Sequence, residues 1–160
     1  MQQPYKSYSL TEATKKMERY CAYQDRCHKE VVTKLREMRM IPEAIDHIVV
    51  HLIQENYLNE ERFAKSFARG KFNIKKWGKN RITNELKQRD ISSFNIKTAL
   101  KEIDPAEYLN TFNALAEKRL TEIKEKDVQK RRKKLADYLF YRGWESHLVF
   151  EKIRELIPFK

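Results

Sequence analysis

The 160-residue chain is 41 % hydrophobic and 36 % charged, with three glycines, four prolines and a formal net charge of +11. That apolar content without a low-complexity run excludes an intrinsically disordered chain, no stretch approaches the ~20 apolar residues of a membrane span, and two cysteines cannot build a disulfide framework. The opening MQQPYKSYSLTEATKK lacks the apolar run of a secretion signal, so Cys21 and Cys27 are expected as free thiols in a reducing, cytoplasmic setting.

The first predicted helix runs from Leu10 to Tyr23, with Ala13, Met17 and Tyr20 on one face. Val31 and Leu35 then stand four apart, a break follows at Met40, and Ile45, Val49 and Leu52 recur at spacings of four and three. That pattern is two short amphipathic helices joined by a tight turn, with Pro42 suited to the first turn of the second. The same order returns twice. Asn59 to Phe72, carrying Phe63 and Phe67, precedes the pair built on Ile82, Leu86, Ile91, Ile96, Leu100 and Ile103, with Ser93 at the helix start. Pro105 to Lys124, carrying Phe112, Leu115 and Leu120, precedes the pair built on Leu135, Leu139, Trp144, Val149, Ile153 and Leu156, with Ser146 at the helix start. Asp127 is an available N-cap that divides this third stretch, which otherwise reads as one very long helix.

Leu35, Leu86 and Leu139 are therefore equivalent anchors, 51 and 53 residues apart, and six apolar columns hold in three copies without a gap. Four residues after each anchor the chain needs a left-handed residue to leave the helix: Gly143 suits it, whereas Arg39 and Asp90 are costlier choices. The reading is an all-α fold of three tandem three-helix repeats, residues 10–56, 57–104 and 105–158 after an N-terminal tail of residues 1–9. Units of this size stack their apolar faces into an elongated, curved array; a compact nine-helix bundle is the alternative that periodicity leaves open.

Charge is distributed unevenly over these repeats. Residues 1–61 hold nine Lys/Arg and ten Asp/Glu, whereas residues 62–89 hold ten cations against Glu85 alone, and residues 118–134 nine against Glu122, Glu125 and Asp127. Such clustering points to a polyanionic partner. Lys71, Lys75, Lys76, Lys79 and Arg81 surround Trp77 and Gly78 just ahead of the helix carrying Ile82, so the amides of residues 79 to 81 are expected to face an anion. Trp77 either stacks on a base or fills a seam between repeats. Lys130, Arg131, Arg132, Lys133 and Lys134 occupy all sides of a helix turn, so some of them point outward to phosphates or acidic protein, or serve solubility alone. Contacts to phosphate would be insensitive to base sequence and weaken steeply with salt. His47 and His51 have helical metal-ligand spacing, and Cys21, Cys27 and His28 lie near in sequence, but neither HExxH nor a zinc-knuckle spacing is present. No nucleotide loop or catalytic constellation stands out, so neither metal, cofactor nor enzymatic activity is expected.

Tyr57, Leu58, Asn59, Glu60, Glu61, Arg62, Phe63 and Ala64 resemble the Tyr-Leu-Asp-Asp-x-Arg-Phe-Ala signature of the RecX family. Gly78, Arg81, Ile82, Glu85, Leu86 and Ile91 resemble its second stretch, and Tyr138, Leu139, Arg142, Gly143 and Trp144 its third, so the likeness spans roughly residues 12 to 157. Asn59 takes the helix-capping place of an aspartate, and Asp90 stands where glycine is usual. The resemblance implies tandem three-helix repeats and a regulator, usually an inhibitor, of the RecA recombinase in DNA repair, lodged on the RecA–DNA filament. It also adds Arg142 to the candidate contacts. The expected partners are then the RecA filament and DNA backbone, with no membrane, and the chain is expected as a monomer. Two other readings fit the residues: a stand-alone helix-turn-helix transcription regulator, and a helical scaffold for an acidic protein.

Overall fold

The computed structural model describes residues 6–159, and among them it contains nine α-helices and no strand. They are α1 (Leu10–Tyr23), α2 (His28–Glu37), α3 (Pro42–Gln54), α4 (Glu60–Asn73), α5 (Lys79–Gln88), α6 (Ser93–Leu100), α7 (Pro105–Glu122), α8 (Val128–Tyr141) and α9 (Ser146–Leu156). Residues 1–5 of the expected tail lie outside the described residues. Its last residues belong to the first helix: Ser9 caps α1 in a reciprocal box with Glu12, and Tyr8 packs on the core.

The helix starts follow from side-chain acceptors for orphan amides. Asn59 accepts from the Arg62 amide at 2.9 Å, Asp104 from Glu107 at 3.0 Å and Asp127 from Lys130 at 3.0 Å. Asp127 does divide the third stretch, although α7 stops at Glu122, two residues short of the expected end. Ser93 and Ser146 occupy first helical positions; the caps before them are Ser92 and Glu145.

The repeat is written in backbone geometry as well as in apolar columns. Arg39, Asp90 and Gly143 all have positive φ, at 61°, 60° and 90°. Each lets the chain fold back so that the anchor carbonyl accepts the same bond, Met40 to Leu35, Ile91 to Leu86 and Trp144 to Leu139, all at 3.1 Å. This closes the helix C-terminus in a Schellman-type turn and drops the next column residue into the core. All three anchors are fully buried.

The buried residues form two cores. One gathers α1 to α3 around Met17, Leu35 and Leu52; the other runs without interruption through the second and third triplets, from Phe63 and Leu86 to Trp144 and Ile153, and takes in Cys27. Between the two cores the contacts are largely polar. Arg62 pairs with Asp25 at 2.7 Å while donating to the Asn56 and Tyr57 carbonyls, and Lys29 donates to the Gln88 carbonyl at 2.9 Å. The accessible surface of 10782 Å² exceeds the roughly 8,500 Å² of a compact globule of this mass. An array of triplets, rather than a nine-helix bundle, accounts for the excess.

Candidate functional site

The seam between the second and third triplets is built on two glycines. A Cβ on Gly78 would lie 2.4 Å from the Gly143 carbonyl oxygen, and one on Gly143 would lie 2.2 Å from the Arg81 Cβ. Only hydrogen at both positions lets the start of α5 touch the turn after α8. The amides there are consumed within the protein: Gly78 donates to the Arg142 carbonyl at 2.8 Å, Asn80 to the Gly143 carbonyl at 3.0 Å and Lys79 to the Tyr108 hydroxyl at 2.9 Å. Tyr108 in turn donates to Glu145, and burial followed by that carboxylate raises its pKa. The expected anion grip on the amides of residues 79 to 81 is corrected accordingly: at Lys79 and Asn80 the donors face a neighbouring repeat, because the helix start is the joint of the array.

The side chains around this joint are ordered by aromatic faces. Trp77 is half-buried, edge-on to Phe67 at 6.3 Å, with Lys71 5.0 Å and Arg81 4.1 Å from its ring centre. Trp77 therefore packs on side chains of its own repeat, next to the seam. Arg81 also lies over Tyr141 at 4.7 Å and donates to the Tyr141 carbonyl at 3.1 Å, and the Lys79 ammonium sits 4.7 Å above Tyr108. These cations hold two repeats together while keeping their charge near the surface.

Lys75, Lys76 and Arg142 converge on a groove of about 320 Å³ between the end of α4 and the α7–α8 pair. Arg142 crosses it to donate to the Lys75 carbonyl at 2.6 Å, and Lys76 adopts a positive φ of 58° that exposes it at the rim. Lys118 and Arg119 of α7 complete the wall, and Tyr138 carries two guanidinium groups, Arg119 at 4.5 Å and Arg142 at 4.9 Å. Glu122 is the acid at the rim and pairs with Arg119 at 3.2 Å. Lys118, Arg119 and Tyr138 were not singled out from sequence as site residues. The signal available was the i, i+4 spacing of Tyr138 and Arg142, which sets both on one face of α8.

That spacing also sorts the five cations at the start of α8. Arg131, Lys134, Tyr138 and Arg142 recur at intervals of three and four and share one stripe of the helix, about 16 Å long at 1.5 Å per residue. Lys130 is exposed beside it. Lys134 lies 3.4 Å from Glu125, and Lys133 pairs with Asp137 at 2.7 Å. Arg132 is brought to a different place: it donates to the Ile157 carbonyl at 2.5 Å and lies 4.0 Å over Phe159, tying down the C-terminal segment.

The remaining candidates of the sequence have other surroundings. His51 Nε2 lies 3.3 Å from Glu18 Oε2, and among the described residues no three metal-ligating side chains gather. Cys21 and Cys27 are free and buried, and desolvation raises each thiol pKa to about 11. No helix among the described residues is long and apolar enough to cross a membrane.

Comparison with known proteins gives two family matches: residues 59–100 to the second three-helix domain of RecX and residues 106–153 to the third, together more than half of the chain. The Regulatory protein RecX of Enterococcus faecalis is 28 % identical over 130 residues, which cover 81 % of this chain and 49 % of that protein. The Regulatory protein RecX of Lactobacillus johnsonii is 33 % identical over 90 residues, 56 % of this chain and 33 % of that protein. The chain thus spans about a third to a half of these relatives. A crystal structure of regulatory protein RecX superposes with a TM-score of 0.80 at 25 % identity, covering 91 % of this chain and 71 % of that one. RecX from Lactobacillus salivarius gives 0.77 at 24 % identity, covering 92 % and 96 %.

Proposed function

Given that the chain belongs to the RecX family, we propose that it is a regulatory protein that lies on the RecA–DNA filament and restrains the recombinase by occupying its surface. The observation that carries this reading is the basic wall made by Lys75, Lys76, Lys118, Arg119 and Arg142 with the stripe of α8. Its cations come from two repeats locked at a glycine joint, so it offers a rigid row of positive charge rather than a few mobile lysines. A row of about 16 Å matches roughly five nucleotides of a B-form strand at 3.4 Å each. It would bind backbone phosphate or an acidic filament surface without reading bases. No cofactor enters the proposed mechanism; occupancy alone blocks access or growth.

The helix-turn-helix reading fits less well. Such a motif places the second helix of its pair in the major groove; the exposed surfaces of α3 and α9 carry Glu43 and Asp46, and Glu151 and Glu155, and α6, which has no acid, spans eight residues and offers Lys97 as its one cation. Those carboxylates would meet phosphates at the groove edge. The test is the DNA-dependent ATPase of RecA with this protein titrated in. Suppression by the parent chain and its loss in Lys75→Glu/Lys76→Glu/Lys118→Glu, with helix content unchanged, is expected. Equal suppression by that variant would move the contact elsewhere, and no suppression by the parent would end the proposal. Lys79 and Arg81 are poor choices for this purpose, because they also hold the seam.

A further inference from the structure

Residues 1–61 sum almost to neutrality, yet six of their nine cations, Lys6, Lys15, Lys16, Arg19, Arg26 and Lys34, line one groove of about 700 Å³ along α1. Arg26 has Glu30 beside it at 3.8 Å, whereas Glu18 turns to His51, Asp25 pairs with Arg62, and Glu43, Asp46 and Glu55 belong to α3 and its C-cap. Glu12 is the one acid in the groove lining, and it is turned to the helix end, where it accepts from the Ser9 amide at 3.1 Å.

Two tyrosines fix the positions of the cations. Tyr8 has Lys6 and Lys16 each 4.9 Å from its ring centre and its hydroxyl 2.9 Å from the Lys16 ammonium. Tyr20 carries Arg26 at 3.7 Å and Lys34 at 5.9 Å, and Arg26 is further anchored by donating to the Tyr20 carbonyl at 3.0 Å. A third ring opens onto the same groove: Tyr23, at the end of α1 and one turn along the helix from Arg19, is 83 % exposed. A solvated lysine face needs none of this arrangement. An exposed ring that opens onto a positive groove is the arrangement by which proteins hold single-stranded nucleic acid, the cations following the backbone and the ring stacking on a base.

We propose that this groove is a second nucleic-acid site, selective for single strands, in which Tyr23 stacks on an unpaired base and Arg19 and Lys15, one and two turns back along the same stripe of α1, engage successive phosphates on one side of it. Duplex bases are already stacked and offer the ring nothing, and an acidic peptide would use the cations but not the ring. The inference is independent of the filament reading, because it is measured with no recombinase present.

The experiment is fluorescence anisotropy of a labelled fifteen-residue oligothymidine, a duplex of the same length and a polyglutamate peptide. The full chain is used in a Lys75→Glu/Lys76→Glu/Lys118→Glu background that silences the other basic wall. Tyr23→Ala removes one base stack and is expected to weaken oligothymidine at least about fivefold while leaving the duplex unchanged. Lys15→Glu/Arg19→Glu is expected to weaken both nucleic acids and to flatten the single-strand salt dependence by about 0.7 in log–log slope per lost contact. Circular dichroism confirms that the helices persist in each variant. Oligothymidine binding unaffected by either variant, an equal loss for duplex in Tyr23→Ala, or polyglutamate held as tightly as oligothymidine would each overturn the proposal. The last result would assign the groove to acidic protein.

Discussion

Gly78→Ala isolates the joint between the second and third repeats. Gly78 has φ −79° and ψ 170°, a conformation open to alanine, so the substitution carries no backbone penalty, and by restricting the unfolded chain it should stabilise by about 0.4–1 kcal/mol if space allows. The structure allows none. The added carbon would sit 2.4 Å from the Gly143 oxygen, 2.6 Å from its carbonyl carbon and 2.7 Å from the Trp144 Cα. These are backbone atoms on a turn fixed by the Trp144 to Leu139 bond at 3.1 Å, so the two repeats must part by about an ångström. Overpacking of this kind costs about 1–3 kcal/mol. Parting also weakens the Gly78 to Arg142 and Asn80 to Gly143 bonds, each worth about 1 kcal/mol. After the gain is deducted, a loss of about 2–4 kcal/mol is expected in urea denaturation followed by fluorescence. Trp77 and Trp144, the only tryptophans, both flank the joint and report its opening directly. A Gly78→Ala protein as stable as the parent, or more so, would refute the backbone contact and the rigidity ascribed to the basic wall.

Leu86→Ala empties a fully buried anchor position and should cost about 2–5 kcal/mol in the same denaturation experiment, with the second and third repeats unfolding together because they share one core. Arg62→Ala removes the Asp25 pair and the Asn56 carbonyl bond between the first and second repeats, together with a bond to the Tyr57 carbonyl in its own repeat. Partial exposure limits its expected cost to about 1–2 kcal/mol; proteolysis should detect it first between residues 54 and 60. The two thiols predict a pH effect of defined sign. Their folded pKa of about 11 exceeds the unfolded value near 8.5, so the folded state keeps protons that the unfolded state releases. Their contribution is intact below about pH 8.5 and lost as pH rises toward 11; the stability difference between the parent and Cys21→Ala/Cys27→Ala should change across that window and stay constant below it.

The apolar columns were legible because a helix pair has few ways to bury an i, i+4 ridge, and three copies of the same ridge remove the ambiguity of one. Leu35, Leu86 and Leu139 each anchor a turn with the same hydrogen bond. The positions after them show where composition misleads. Arg39 and Asp90 take a left-handed conformation that glycine would adopt at less cost, because the apolar residue behind each turn, once buried, dictates the path of the chain. Tertiary burial outweighs local preference there.

The site was legible in composition but not in geometry, and the reason is that charge summed along a chain is a one-dimensional quantity. In the second and third repeats the excess is so large that the cations of any face suffice to mark it, yet the sum could not say that Arg132 turns away to the Ile157 carbonyl while Arg142 reaches across to Lys75. Nor could it supply Lys118 and Arg119, which face the groove only because α7 runs beside Tyr138. In the first repeat the sum is actively misleading. The nine cations and ten acids of residues 1–61 cancel on paper, but six of those cations and only Glu12 of the acids line the groove along α1, and a ligand a few ångströms from a surface responds to the nearest charges, since those beyond about 8 Å are screened at physiological salt. A near-neutral repeat can therefore present as strong a local field as a basic one.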